Sequence, residues 1–537
     1  MGLEHMPWLT ITIFLPTVGA ALLTVLRRSG GQGARVISLA FTILTAVLSV
    51  ALAIGFNGAS PDYQLEDPKV PWVPALGINF HVALDGISLW LFLLTTFLSV
   101  IAVLGSWTSI TKHDSAFFIC LLLLETAMLG VFAAIDLVLF YVFWEAMLIP
   151  MYLIIGVWGG ARRLYAAIKF FLYTFVGGVL MLAGIIILYF ALPEPDRTFS
   201  IPELLARAPQ LDGSLQLTLF VLFGLGFAIK VPLFPFHTWL PDAHVEAPTS
   251  GSIILAGVLL KMGAYGFLRL CIGFFPVGTE VFGPVLMWLA VIGIIYGGAA
   301  AMWQKDMKRL IAYSSVSHLG FVMLGLFALN PMGIQGAVLQ MVNHGLSTGA
   351  LFLLVGMIYE RRHSRMIADY GGLWEEVPVY SRIFLVVALS SIGLPGLNGF
   401  VGELLTLMGT FTSAWVQAQL WAILGCLGVI ISACYLLWMY KRVFYGEPKP
   451  HRDGPMKDIN TIEATAAVML LAGIVWLGVY PAPVLRGIKP AAVAVVNRFE
   501  VSRGNVPRTK PFADLAPDVA PLGGTELPAV LSEDDEQ

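Results

Sequence analysis

Residues 228–246 read AIKVPLFPFHTWLPDAHVE. The thirteen residues before them, LQLTLFVLFGLGF, carry no charge and look like ordinary membrane-spanning helix. Then come Lys230, Pro232, Pro235 and His237. A proline removes a backbone donor and clashes with the carbonyl one turn back, so the helix must break just after its cation. Backbone freed at membrane depth is tolerated only where protein or water satisfies it. A broken apolar helix with an ionisable group beside the break therefore points inward, toward a polar interior shared with other helices.

The rest of the chain supplies those helices. Of its 537 residues 58% are hydrophobic and 12% charged, against roughly 45–50% and 25% in soluble domains. Apolar runs long enough to cross ~30 Å of hydrocarbon recur from end to end. This is the pattern of an all-α polytopic membrane protein. The net charge of −3 and the lack of a basic stripe give no sign of nucleic-acid binding. Cys120, Cys271, Cys426 and Cys434 lie in apolar segments without a CxxC pair, and read as small buried hydrophobes rather than disulfides or metal ligands. The first apolar run is preceded by Glu4 and His5 and followed by Arg27 and Arg28, the reverse of a signal peptide, and reads as the first helix of the mature protein.

Fourteen spans are predicted, near 7–26, 36–56, 80–107, 115–134, 136–157, 164–191, 215–235, 250–274, 281–303, 310–329, 332–358, 379–412, 417–440 and 462–485. Loops after odd-numbered spans carry seventeen Lys and Arg residues, among them Arg162, Arg163, Lys308, Arg361 and Arg365. Loops after even-numbered spans carry only Lys69, Arg197 and Arg207, with Arg486 and Lys489 directly at the end of the last span. The positive-inside rule makes the odd loops cytoplasmic and puts both termini outside. Residues 487–537 have few apolar clusters and end SEDDEQ, so they read as a disordered or peripheral tail with no further long amphipathic helix.

Among the ionisable residues within these spans, Glu145, Lys261, His318 and His344 sit near mid-membrane, and Lys230 and Glu403 each neighbour a break. A charge at the bilayer centre costs ~2.5–3.5 kcal/mol on insertion scales, so such residues are functional candidates. A second break, GLPGLNG at 393–399 with Pro395, precedes Glu403. Helices pack 8–10 Å apart, so groups at one depth would form a chain parallel to the membrane, with water in the gaps. Acids, lysines and histidines in such a chain can relay protons, because burial and neighbouring charge move their proton affinities. Blander readings stand beside several candidates. His237 reads as a cap of the broken helix or as a relay group, and His318 as a relay or a hydrogen-bonder. Glu125 is intramembrane, within the network or outside it. Arg269 and Arg382 read as snorkelling near helix ends, and Asp85 and Asp136 as caps or interfacial groups.

The segments FYVFWEAMLIPMYLIIGVWGG, YAAIKFFLYT, KVPLFPFHTWLPDAHVEAPTSGSIILAGVLLKMGAYG, YSSVSHLGFV and GLPGLNGFVGE together resemble the antiporter-like subunit M of bacterial respiratory complex I, chain 4 of the mitochondrial enzyme. The likeness covers roughly residues 80–480. It implies fourteen helices with two inverted five-helix repeats, helices four to eight (111–275) and nine to thirteen (276–445). N-terminal helices at 1–110 would precede them and a last helix at 446–486 follow. It implies that Glu145 pairs with Lys230, that Lys261 connects, that His318 and His344 link, and that Glu403 ends the second half-channel. Sister subunits L and N, and several Mrp-type antiporter subunits, usually carry lysine at the last position, and subunit L continues into a long lateral helix. The resemblance further implies no cofactor in this chain, with NADH, FMN, iron–sulfur clusters and quinone on partner subunits. It implies L and N as neighbours, while the Ala/Gly/Val-rich composition and the long tail favour a bacterial plasma membrane over an organelle. The expectation is a proton-translocating subunit of NADH:quinone oxidoreductase. The alternatives are a Mrp-type cation/proton antiporter subunit and, against the many buried charges, a scaffold bundle without transport.

Overall fold

The computed structural model describes residues 6–26, 30–194, 196–449 and 456–504. Its membrane helices are α1 (Trp8–Val25), α2 (Gly30–Ile54), α3 (Ser88–Gly105), α4 (Asp114–Ala133), α5 (Leu137–Trp158) and α6 (Arg163–Ala191). The broken helix follows as α7 (Gly213–Lys230) and α8 (Trp239–Glu246), then α9 (Thr249–Phe274), α10 (Pro276–Met302), α11 (Met307–Phe327) and α12 (Pro331–Arg362). A second broken helix gives α13 (Pro378–Ile392) and α14 (Asn398–Phe411), before α15 (Ala418–Phe444) and α16 (Thr461–Val479). Among the described residues thirteen helices are long and apolar enough to cross a membrane. The remaining span of the fourteen expected is the α13–α14 pair.

Polar residues at the ends of the apolar runs set where several helices begin. Asp136 accepts from the N–H groups of Val138 and Leu139 at the start of α5, and Asp306 from those of Lys308 and Arg309 at the start of α11. Asn460 and Glu463 form a capping box on α16. Each such cap satisfies backbone donors that no turn of helix can reach. The third helix begins at Ser88 rather than near residue 80. Phe80 belongs instead to a short antiparallel hairpin, β1 (Val70–Val73) and β2 (Ile78–Phe80), and Asp85 caps α3 through the N–H groups of Ile87 and Ser88.

Three helices, α9, α11 and α12, are buried along almost their whole length, while α1, α2, α15 and α16 turn much of their apolar surface outward. The latter group includes Cys426 and Cys434 on α15, which are exposed rather than buried as expected; Cys120 and Cys271 are buried. In a membrane an apolar side chain needs no protein cover, so hydrophobicity alone does not report burial in the bundle.

Two further expectations need correction. Arg269 does not snorkel: it is 7% exposed and paired with Asp85, itself 3% exposed. The rings of Tyr265 and Tyr63 flank the guanidinium, with centroids at 5.3 and 5.7 Å. The chain beyond residue 487 is also not wholly irregular. After Pro481 it forms an amphipathic helix, α17 (Ala482–Ser502), that buries Val484, Ile488, Ala492, Val495 and Phe499 and leaves Arg486 and Lys489 exposed. Arg503 then pairs with Glu280 at 2.6 Å. The remainder of the expected tail, 505–537, lies outside the described residues.

The two breaks occupy matching places, the fourth crossing in each set of five (α4 to α9, and α10 to α15). Because five crossings separate them, the broken helices run through the membrane in opposite directions.

Candidate functional site

The first break is held by its own polar groups. α7 ends at Lys230, and the indole N–H of Trp239 donates to the Ile229 carbonyl at 2.9 Å. The N–H of Leu233 reaches the Ala228 carbonyl at 2.9 Å. α9 lies so close to this end that a methyl group at Gly263 would meet the Phe227 carbonyl at 2.7 Å. Glycine is what allows the two backbones to touch.

At the second break, Gly393 and Gly396 adopt φ of +88° and +90°, left-handed conformations that glycine enters without steric cost. Gly393 ends α13 with its N–H turned back to the Leu389 and Ser390 carbonyls. Asn398 then ties the break to α12. Its side-chain N–H donates to the Asn343 carbonyl at 3.2 Å, and the Asn343 side chain donates to the Asn398 carbonyl at 2.6 Å. Ser390 and Ser347 donate to the Asn398 side-chain oxygen at 2.5 and 3.1 Å.

Between the breaks runs a line of buried groups. Lys261, wholly buried on α9, donates to the Ala256 carbonyl and lies 2.7 Å from Nδ1 of His344 on α12. The ring of His344 stands 5.7 Å from that of His318 on α11. His318 Nδ1 is 2.8 Å from Oε1 of Glu403 on α14, and Gln340 donates to the same oxygen at 3.2 Å. The hydroxyls of Ser391 and Tyr435 approach His318 Nε2 at 3.4 Å. A cavity of about 10 Å³, lined in part by His318, Gln340, His344 and Glu403, leaves room for roughly one water molecule beside the histidines. Four of the six residues singled out in sequence are thus in one contiguous series.

The other two face each other at its far end. Lys230 is 1% exposed and its amino group makes no hydrogen bond. It sits over the rings of Trp144 and Phe170 at 5.1 and 6.0 Å. Glu145 is half-buried on α5, with Oε1 unpartnered, and it is the carboxylate whose field acts on Lys230. No contact ion pair joins them. The carboxylate rests against Gly178 of α6, where a methyl group would fall 1.8 Å from Oε1.

His237 does not cap α8. It is 3% exposed, its ring interacts with the Pro235 backbone, and it lies among Phe234, Tyr296 and Tyr313. Glu125 is wholly buried on α4, with Ser99 of α3 beside its carboxylate, and α4 packs mainly among α1, α2, α3 and α5, reaching α9 where the Tyr265 hydroxyl donates to the Phe132 carbonyl at 3.2 Å. Asp136 is a cap, as its position suggested. Arg382 is exposed on α13.

One group not singled out from the sequence belongs here. His244 on α8 is wholly buried, stacked on Phe352 with ring centroids 4.5 Å apart, and both its nitrogens lack partners. The charges acting on it are Lys308 and Lys261. The signal was a histidine in the segment that re-enters the membrane after the break. Below it, Asp242 binds Lys169 at 2.7 Å, with Arg309 at 3.6 Å, and so fixes α8 against α6 and α11. Among the described residues no group of three or more His, Cys, Asp or Glu side chains is placed to hold a metal ion.

A family model described as "NADH:quinone oxidoreductase/Mrp antiporter, TM" matches residues 134–431. NADH-quinone oxidoreductase subunit M of Rhodobacter capsulatus is 44% identical over 512 residues, covering 93% of this chain and 98% of that protein. A chain of respiratory complex I from Thermus thermophilus with bound NADH superposes with a TM-score of 0.82 at 33% identity, over 91% of this chain and 99% of that one. A chain of the Mrp complex from Dietzia sp. DQ12-45-1b superposes with a TM-score of 0.81 over 93% and 99% of the two chains. Its 20% identity carries the likeness no further than the fold.

Proposed function

We propose, from the premise that this chain belongs to the subunit M family of NADH-quinone oxidoreductases, that it is a proton-translocating subunit of such a complex's membrane arm. The observation that carries this reading is the buried series Lys261–His344–His318–Glu403, which gives protons a path along the membrane plane through four helices. In this reading the chain contributes no redox chemistry. NADH, flavin, iron–sulfur clusters and quinone belong to partner subunits, L and N flank it, and the basic face is cytoplasmic in a bacterial plasma membrane. Residues 111–275 and 276–445 act as two antiporter-like repeats.

The geometry suggests how the relay works. When a conformational change elsewhere alters the Glu145–Lys230 separation, the field on Lys230 changes, and Lys230 gains or loses its hold on a proton. Lys261 passes a proton to His344 across a single hydrogen bond. The gap from His344 to His318 requires a bridging water, for which the small cavity has room, and His318 hands on directly to Glu403. Separating a proton from its relay neighbour by one lost hydrogen bond stops the series.

The test is NADH-driven, quinone-coupled proton uptake by inverted membrane vesicles from cells lacking the chain and from cells in which it is restored. Restored uptake, together with co-purification of the other complex subunits, is expected. If uptake is the same in both, and restoration instead adds sodium-driven proton exchange, a stand-alone antiporter subunit is the correct assignment.

A second expectation concerns Gly178. Alanine there gains about 1 kcal/mol of helix propensity, so the complex should assemble as well as wild type on a native gel. The added methyl group displaces only the flexible end of Glu145, at little packing cost. Proton uptake should nevertheless fall on the order of tenfold, because the acid no longer stands where Lys230 senses it. Wild-type uptake by Gly178→Ala would show that the position of this carboxylate is immaterial.

A further inference from the structure

We infer that Lys308 loads protons from a vestibule on the basic face and delivers them to His244, and so feeds the buried series. This rests on the relay reading above.

A cavity of about 430 Å³ opens where the ends of α3, α5, α8 and α12 meet the starts of α9 and α11. All these ends belong to the face that carries the excess of Lys and Arg. The space holds several water molecules, and its lining includes Glu246, Glu360, His363, Arg365 and Thr249. The Lys308 side chain also lines it, yet this residue is only 7% exposed. Its amino group donates to the carbonyl of Ala247, just beyond the last turn of α8. It joins the vestibule wall to the end of α8.

One turn inward along α8 stands His244, wholly buried with neither nitrogen hydrogen-bonded. A lysine capping a helix C-terminus is ordinary structural chemistry. That explanation accounts for Lys308 and leaves His244 unaccounted for, because a buried polar group without a partner costs free energy. The charges of Lys308 and Lys261 both act on His244, and its own field reaches His344. The charged groups around Lys308 itself are Arg365, Asp306 and Glu246.

Two transfers complete the entry. A neutral Lys308 amine takes a proton from a protonated water of the vestibule: an N–H bond forms as an O–H bond breaks, and water is left behind. The ammonium then turns from the Ala247 carbonyl and gives that proton to an imidazole nitrogen of His244. One positive charge has moved inward and Lys308 is neutral again.

The experiment compares Lys308→Arg, Lys308→His and Lys308→Met in the intact complex, with assembly checked on native gels. Arginine keeps the cation and the donor but does not release its proton. Arg and Met variants are expected to lose about fivefold or more of NADH-driven uptake, and the His variant to keep a larger share. Wild-type uptake by Lys308→Arg overturns the inference, since a cap alone is preserved in it. Lys230→Ala run alongside separates the two levels. If it also retains uptake, the relay reading itself falls; if only the Lys308 variants retain it, the entry route alone falls. Should those variants not assemble, Thr249→Cys in the intact complex is treated from the basic face with a membrane-impermeant thiol reagent, using treated wild type as the control. Slower uptake after modification supports entry through the vestibule, and full modification at an unchanged rate overturns it.

Discussion

Replacing Lys230 with alanine is expected to reduce NADH-driven proton uptake to background while the complex still assembles. A buried cation is held at a cost of several kcal/mol unless it is well paired. Lys230 has no hydrogen bond and no contact ion pair, and its amino group lies over the faces of Trp144 and Phe170. Such cation–π contacts contribute about 0.5–2 kcal/mol. Its removal therefore takes away little that stabilises the fold, and the two rings remain to fill the space. What disappears is the cation beside the break that, in the proposed relay, answers to Glu145. Because uptake is coupled to electron transfer, NADH oxidation in the assembled complex should fall as well. Uptake at the wild-type rate in assembled Lys230→Ala complex would remove Lys230 from the path.

Asp85→Asn is expected to fail in the opposite way, by losing the folded complex rather than its chemistry. Asparagine keeps an oxygen that can accept from the N–H groups of Ile87 and Ser88, so the cap on α3 survives. The change removes only the negative charge, and Arg269 is left buried with no countercharge. Removing one partner of a buried pair costs about 3–5 kcal/mol. The amount of complex on a native gel should drop sharply, and what remains should melt at lower temperature. Pairing Asp85→Asn with Arg269→Met should recover much of the loss, since an apolar replacement of a buried pair is often neutral. A single variant as stable as wild type would mean that Arg269 finds another partner, and the pair would not be what holds α3 to α9.

The contrast between these two sites marks what could be read from the sequence. Lys230 announced itself because an isolated cation among apolar residues beside two prolines has few structural uses. Glu145, Lys261, His318, His344 and Glu403 stood out for the same reason of cost. Which of them touch was not legible, since Lys261 and His344 lie 83 residues apart and His318 and Glu403 lie 85 apart. Asp85 and Arg269, 184 residues apart, sat near helix ends, where single charges usually reach water, so their pairing left no local trace. His244 was hidden because the predicted span stopped at residue 235, while the chain re-enters helix at Trp239. Lys308 was counted among loop charges, and its contact with the end of α8, far off in sequence, left no local trace. The α17 helix had a readable stripe, Val484, Ile488, Ala492, Val495 and Phe499. Pro490 and the polar residues between obscured it, yet that proline lies inside the helix.

The position of Lys230 as the final residue of α7 has one more consequence. Aligned peptide dipoles leave about half a negative charge at a helix C-terminus, strongest within the last turn. Lys230 is therefore held by two fields of different kind. That of Glu145 comes and goes with protonation and distance, whereas that of the half-helix is built into the backbone and cannot be titrated. The permanent field prevents the ammonium from being wholly abandoned when Glu145 is neutral, and so limits how far one carboxylate can swing it. In the proposed relay the break thus sets the resting bias of the lysine, and the acid supplies only the modulation.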